Sequence, residues 1–185
     1  GVTHSPFPSL GLDTAHAERV RRAARDAMND KTKPVGSLGY LEELAERLAV
    51  IQDTIRPTVA RGRVLVFAAD HGVALDGVSA YPRVVTAEML RNFARGGAAV
   101  CVLARSGGLE FEVVDVGVDG ELADELDALA AASGTRVTHA KIARGTANLR
   151  QEPAMTPEHC LAAMEAGRAA VRRAAHDGVQ MVGLG

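Results

Sequence analysis

The sequence predicts an α/β protein built on a parallel sheet, and two observations lead there. The run Val64 to Ala69, VLVFAA, is continuously apolar and rich in strand-forming residues, the mark of a strand buried on both faces. After it, FEVVDVGV at 111–118 and the segments 135–142 and 179–184 read as further strands, each preceded by a helical pattern. Ligands of such sheets bind beyond the carboxyl ends of the strands. The first strand passes there into a loop dense in Asp, His, Gly, Ser and Tyr.

The opening GVTHSPFPSLGL has two prolines and no period, and is expected to wander over the surface or lie across another subunit. Asp13 is a cap for a helix to about Asn29, with Val20, Ala23, Ala24 and Ala27 inward. Pro34 and Gly36 then break the chain. Ser37 is the expected N-cap of a second helix, in which Leu38, Leu41, Leu44, Leu48 and Ile51 recur at spacings of three and four as a packing face. Lys31 and Lys33 beside that helix start can receive an anion, although solvated lysines are commoner. Thr86 is read as the cap of a helix from Ala87 to Phe93, with Glu88 in its first turn facing either the loop or water. A helix over Ala98–Arg105, an alanine-rich helix over Glu121–Ala132 and a long helix opening at Thr156-Pro157-Glu158 complete the pattern. The long helix carries Leu161, Met164, Arg168 and Val171 on one face. The last strand ends in Gly-Leu-Gly with no covering helix after it, so the sequence reads as a fragment or shortened form.

Composition excludes several classes. With 47% hydrophobic residues in 185, the chain fills one well-packed domain with room for a small appendage. A net charge of −2 without a basic stripe, and aromatics at only 3%, argue against nucleic-acid binding. No apolar run approaches the ~20 residues of a membrane span, so no membrane partner is expected and a cytoplasmic protein is. Cys101 and Cys160 show no metal spacing and are expected as buried small apolar residues in a reducing compartment. Neither a cofactor nor a metal is called for.

The candidate chemistry lies at the first strand's end. Asp70 and His71 stand at the carboxyl terminus, and Gly72 and Gly77 allow tight turns. Ser79, Tyr81 and Pro82 offer a hydroxyl, a flat aromatic face and a rigid corner, a floor for a planar organic ligand. The plainer alternative, of about equal weight, is that Asp70 caps the loop and His71 bonds its backbone. A third is a metal-dependent hydrolase using Asp70, His71 and Asp115, ranked low because no second histidine stands at ligand spacing.

Taken in order, the motifs KPVGSLGYLEELA, VFAADHGV, GVSAYPRVVTAEML, NFARGGAAVCVLAR, VVDVGV, ARGTANL, EPAMT and VGLG form a specific set. From about Asp13 to Gly185 the sequence resembles the nicotinate-nucleotide:dimethylbenzimidazole phosphoribosyltransferase family. The resemblance implies a three-layer α/β/α fold with a Rossmann-like parallel sheet, truncated at its C-terminal end. It implies residues 1–56 as a helical segment contributing to a small subdomain, 57–185 as the incomplete α/β domain, and a homodimer.

The same resemblance implies transfer of the phosphoribosyl group of nicotinate mononucleotide to 5,6-dimethylbenzimidazole. Ser79, Tyr81, Pro82, Glu88 and Met89 match the base-binding wall beside Asp70 and His71, and Gly183 and Gly185 match the opening of the phosphate-binding turn. Relatives often carry glutamine where Glu88 stands. The family's general-base glutamate lies downstream of Gly185, so no catalytic residue is expected within these 185. The alternative class is a non-catalytic module that binds benzimidazole or a nucleotide.

Overall fold

A computed structural model describes residues 13–185, and the opening segment 1–12 with its expected surface path lies outside the described residues. The chain divides into two compact units after Thr58. In the first, α1 spans Thr14–Asn29 and α2 spans Tyr40–Gln52. Asp13 caps α1, its carboxylate accepting from the Ala15 N–H at 3.0 Å. His16 meets Asp53 at 2.6 Å, Arg25 meets Glu46 through two bonds of 2.6 and 2.7 Å, and Lys33 meets Glu42 at 2.8 Å. Early residues pair with late ones, so the helices run antiparallel.

One expectation fails in this unit and another holds in part. The helix does not start at Ser37: residues 34–39 form hydrogen-bonded turns, and Gly39 takes the cap position without a side-chain bond. Glu42 reaches back to accept from the Leu38 N–H at 3.1 Å, supplying the partner a serine cap would have been. The leucine face is packed only in its middle, where Leu44 and Leu48 are half-buried. Leu38, Leu41 and Ile51 are more than half exposed, while Glu46 and Ala49 are buried, because the side of α2 turned to α1 is the one carrying the bidentate Arg25–Glu46 pair. Lys33 is committed to Glu42.

The second unit runs β1 (Gly62–Ala69), a 3₁₀ turn (Gly72–Asp76), α3 (Val84–Ala94), α4 (Ala99–Ser106), β2 (Glu110–Gly117), α5 (Ala123–Ser133), β3 (Arg136–His139), α6 (Pro157–His176) and β4 (Met181–Leu184). All pairings are parallel, in the order β3-β2-β1-β4. The chain steps from β1 through β2 to β3 and then returns to the far side of β1. Strand order therefore reverses between β1 and β4, the place where open α/β sheets bind ligands. Side chains alternate across the sheet. Val64, Val66, Phe111 and Val113 pack with Leu90, Phe93 and Leu126 of α3 and α5. The opposite face carries Glu112, to which Arg173 of α6 reaches at 2.7 Å. Helices thus cover both faces and the fold is three-layered α/β/α.

Several boundaries move. The α3 helix begins at Val84, because Pro82 and Arg83 already accept from the Val85 and Thr86 amides at 3.0 Å. Glu88 is therefore past the first turn. Only Ala170 and Ala174 of α6 are buried, while Leu161, Met164 and Val171 are at least half exposed. Cys101 is buried as expected, but Cys160 is exposed, since the burial of α6 is confined to the other end of the helix.

Below the core, at the amino ends of the strands, lies a charge cluster. Arg63 is 1% exposed and donates to Glu110, Glu112 and Asp177. The fully buried Glu112 also accepts from Thr138 at 2.9 Å and from Arg173. One carboxylate thereby joins β1, β2, β3 and α6, and its oxygens are well satisfied.

At the carboxyl ends the segment after β3 crosses back over the sheet. The Ala140 and Ile142 amides donate to Asp115 and Val116, and the Thr146 amide to the Asp70 carbonyl, while Gly72 donates to the Thr146 carbonyl at 3.0 Å. His71 and Thr146 form a parallel bridge. This strap seals the ends of β2 and β1, and it needs close approach. A Cβ on Gly72 would stand 2.6 Å from the backbone of Ala147 and Asn148, and Gly145 has φ +85° with Asp70 O only 3.0 Å from where a Cβ would be.

Both ends of the sheet can be tested by substitution. The Arg63 guanidinium holds the Glu110 and Asp177 carboxyls below their ordinary values of 4.5 and 3.8. Folded values below unfolded ones give stability that is complete above that range and is lost as pH falls through the folded values. Thermal unfolding followed from pH 7 into acid should show a decline beginning below about pH 4.5, flattened in Asp177→Asn; an identical acid limb in the variant would contradict the role of this pair. Gly72→Ala should cost about 1–3 kcal/mol in a denaturant melt, since the strap backbone must shift. Unchanged stability would mean that the crossing is looser than it stands here.

Candidate functional site

Asp70 organises the strand ends. It is 4% exposed, and its amide donates to Gly117 O at 3.0 Å, extending the β1–β2 ladder by one step. Its carbonyl accepts from Thr146, and its Oδ2 accepts from the Asp119 N–H at 2.8 Å. One residue thus holds the loops that follow β1, β2 and β3. Among the readings of Asp70 weighed from the sequence, this arrangement matches the loop-capping one.

Asp115 is a second buried carboxylate with the same kind of work. Its Oδ1 accepts from the Gly117 and Val118 amides at 3.0 and 2.9 Å, and its Oδ2 faces Lys141 Nζ at 3.2 Å. Lys141 also donates to the Val118 and Gly120 carbonyls at 2.5 and 2.6 Å, so the turn after β2 is closed around its ammonium. His71 is exposed, with Nδ1 3.3 Å from Thr146 Oγ1. Both carboxylates are engaged with backbone amides, and among the described residues no group of three or more His, Cys, Asp and Glu comes together as a metal site. The hydrolase reading loses its ligand set.

From this base the loop after the 3₁₀ turn projects outward. Gly77 turns the chain at φ +73°, Ser79 Oγ accepts from the Tyr81 N–H at 3.2 Å, and Pro82 leads into α3. Ser79, Tyr81, Pro82, Glu88 and Met89 are all exposed, with Tyr81 at 71%. They bring a hydroxyl, an aromatic face and a thioether to the surface. The carboxylate of Glu88 pairs with Arg91 at 2.7 Å, and Arg91 also donates to Glu125 at 2.8 Å. Glu88 is thus held along the outer side of α3 by a cation.

Gly183 and Gly185 stand elsewhere. Gly183 lies beside Val64 in the ladder and Gly185 donates to the Leu65 carbonyl at 3.1 Å. Gly185 is therefore level with Val66, four residues short of Asp70, or about 13 Å at ~3.3 Å per residue. They flank the switch point on the β4 side, while Asp70 and His71 flank it on the β1 side.

Sequence reading overlooked Arg83 and Lys141, and did not connect Thr146 with Asp70. Arg83 lies between Asp70 and Asp119, its Nη2 3.2 Å from the Asp119 carboxylate. One signal was available: a cation at the start of a helix runs against the helix dipole and implies a specific partner. Thr146 gave none, because only the tertiary crossing of the strap brings it to Asp70.

Comparison with known proteins adds the kinship. A family model described as a phosphoribosyltransferase, DBI_PRT, matches residues 14–185. A nicotinate-nucleotide–dimethylbenzimidazole phosphoribosyltransferase of Cupriavidus taiwanensis is 49% identical over 180 residues, covering 97% of this chain and 48% of the relative. One of the same name from Chromobacterium violaceum is 50% identical over 176 residues, covering 95% and 46%. The crystal structure of CobT from Thermus thermophilus superposes with a TM-score of 0.81 at 47% identity, over 90% of this chain and 47% of that one. The chain spans about half the length of the curated relatives it matches. With near-complete coverage of its described residues and a shared fold, the chain belongs to the DBI_PRT phosphoribosyltransferase family.

Proposed function

We propose that this chain is the ring-binding portion of an enzyme that moves the phosphoribosyl group of nicotinate mononucleotide to 5,6-dimethylbenzimidazole, giving α-ribazole phosphate and nicotinate. The observation behind it is the exposed stretch of Ser79, Tyr81, Pro82 and Met89, which we read as an open wall beside the strand ends that Asp70 joins, in a chain whose relatives are named for that reaction. A flat, weakly polar ring stacks on an aromatic face and takes a hydroxyl at its edge. The reading includes two such subunits in a dimer and a cytoplasmic setting; among the described residues no helix is long and apolar enough to cross a membrane.

The chemistry suits a protein that mainly positions its reactants. The nicotinate nitrogen of the mononucleotide is cationic, so breaking its bond to the ribose returns a neutral ring and needs no acid. The attacking benzimidazole loses its N–H proton as its other nitrogen bonds to the sugar carbon, and inversion there gives the α-linkage. A carboxylate within hydrogen-bond reach would take that proton. The carboxylates near the wall are otherwise engaged: Asp70 accepts from the Asp119 amide, Asp119 is paired with Arg83 and Glu88 with Arg91. The proposal therefore assigns this chain binding and orientation, with proton removal carried by a residue outside it.

The same observation supports a second reading, a module that binds the ring without turnover. Titrating this chain with 5,6-dimethylbenzimidazole, and following nicotinate release from nicotinate mononucleotide, separates the outcomes. Binding without release is expected, with Tyr81→Ala weakening it by about tenfold through loss of the stacking face. Absence of binding by the intact chain would overturn the ring-binding role, and nicotinate release would overturn the assignment of the base to a residue outside it.

A further inference from the structure

Arg83 stands out because its Nε is a buried side-chain nitrogen without a hydrogen-bond partner, the one such atom among the described residues. Asp70 Oδ1 stands 4.0 Å from it, beyond bonding distance. The other end of the guanidinium is bonded, Nη2 to Asp119 Oδ2 at 3.2 Å. Asp119 is in turn fixed by its own amide to Asp70 Oδ2 at 2.8 Å. The strap closes the arrangement at Gly145, where a Cβ would come within 3.2 Å of Arg83 Nη2. The arginine therefore faces two carboxylates, one buried and one 46% exposed.

Resting on the ring-binding reading above, we propose that Arg83 is the positioning residue of the wall. It fastens the loop carrying Ser79, Tyr81 and Pro82, together with the start of α3, to the carboxyl ends of β1 and β2. Arg83 follows Pro82 directly, so a tether on its side chain restrains the backbone next to the wall. The attachment is one hydrogen bond plus an unclosed approach to Asp70, a clasp with slack. A bidentate fork would demand arginine; a single bond to one carboxylate and a Coulombic attraction to another can be met by any cation of similar reach. Lysine should therefore restore what a neutral residue loses.

The test uses the full chain in four forms: unchanged, Arg83→Gln, Arg83→Lys and Asp119→Asn. Amide exchange at Tyr81, Val85 and Thr86, whose N–H groups are hydrogen-bonded in the loop and at the start of α3, and the dissociation constant for 5,6-dimethylbenzimidazole are both measured. Arg83→Gln should speed exchange in the loop and weaken ring binding, each by about threefold to tenfold, and Arg83→Lys should recover most of both. Asp119→Asn, which leaves the arginine in place, should speed the same amides and guards against a variant that fails to fold. Unchanged loop exchange in Arg83→Gln and Asp119→Asn would overturn the proposal whatever happens to binding. Faster exchange with unaltered ring affinity would overturn it too, since the clasp would then not position the wall. Failure of the unchanged chain to bind the ring would instead defeat the ring-binding reading and with it the wall's purpose; exchange would still report whether the clasp exists.

Discussion

The upper end of this sheet depends on the placement of one buried carboxylate. An isolated ionised group at 4% exposure is costly, and Asp70 is tolerated because the Asp119 amide and a nearby guanidinium meet it. Satisfying that group draws together segments distant in sequence: the turn after β2 through Asp119, and the first residue of the α3 entry through Arg83. Its main-chain groups add the ladder step to Gly117 and the strap at Thr146. The exposed loop of Ser79, Tyr81 and Pro82 therefore adjoins a polar arrangement. Apolar packing begins lower down, at Val66, Leu90 and Val113.

The two ends of the sheet use charge differently. At the amino ends, Arg63 and Glu112 are both within 1% of full burial, and their partners span β1, β2 and α6. Breaking such a cluster leaves an uncompensated charge inside the protein, so it fixes register and helix placement firmly. At the carboxyl ends the arginine is 24% exposed and one of its carboxylates is nearly half exposed. That end is held by weaker, partly hydrated contacts. A firm base and a loosely fastened rim suit the general plan of open α/β sheets, which bind ligands beyond the carboxyl ends of the strands and at a switch in strand order.

The parallel α/β architecture was legible because its signals are local. Continuous apolar runs such as Val64–Ala69 need only a few residues to identify, and Thr156-Pro157 marks a helix start by itself. What was not legible depends on tertiary choice. The leucine stripe of α2 has the right period for a buried face, yet the Arg25–Glu46 pair decides which side meets α1. On α6 the buried contact is made by Ala170 and Ala174, while Leu161, Met164 and Val171, which share a face in the sequence pattern, are at least half exposed. In the candidate site, the loop of Asp70, His71, Ser79 and Tyr81 was visible as a change from apolar to polar residues. Its attachment to Asp119 and Thr146 was not, since strand order and the return of the strap decide it. Gly183 and Gly185 lie on the β4 side of the switch, level with the middle of β1, a position that only the sheet register reveals.

The most direct test of this account is amide exchange in Asp70→Ala. If the carboxylate organises the rim, the amides of Asp119, Gly72 and Thr146 should exchange faster together, by about tenfold or more, while Val64–Ala68 keep their protection. Acceleration at Asp119 alone would contradict it. The loops would then be held by their own backbone contacts, and the buried carboxylate would serve only the one amide it touches.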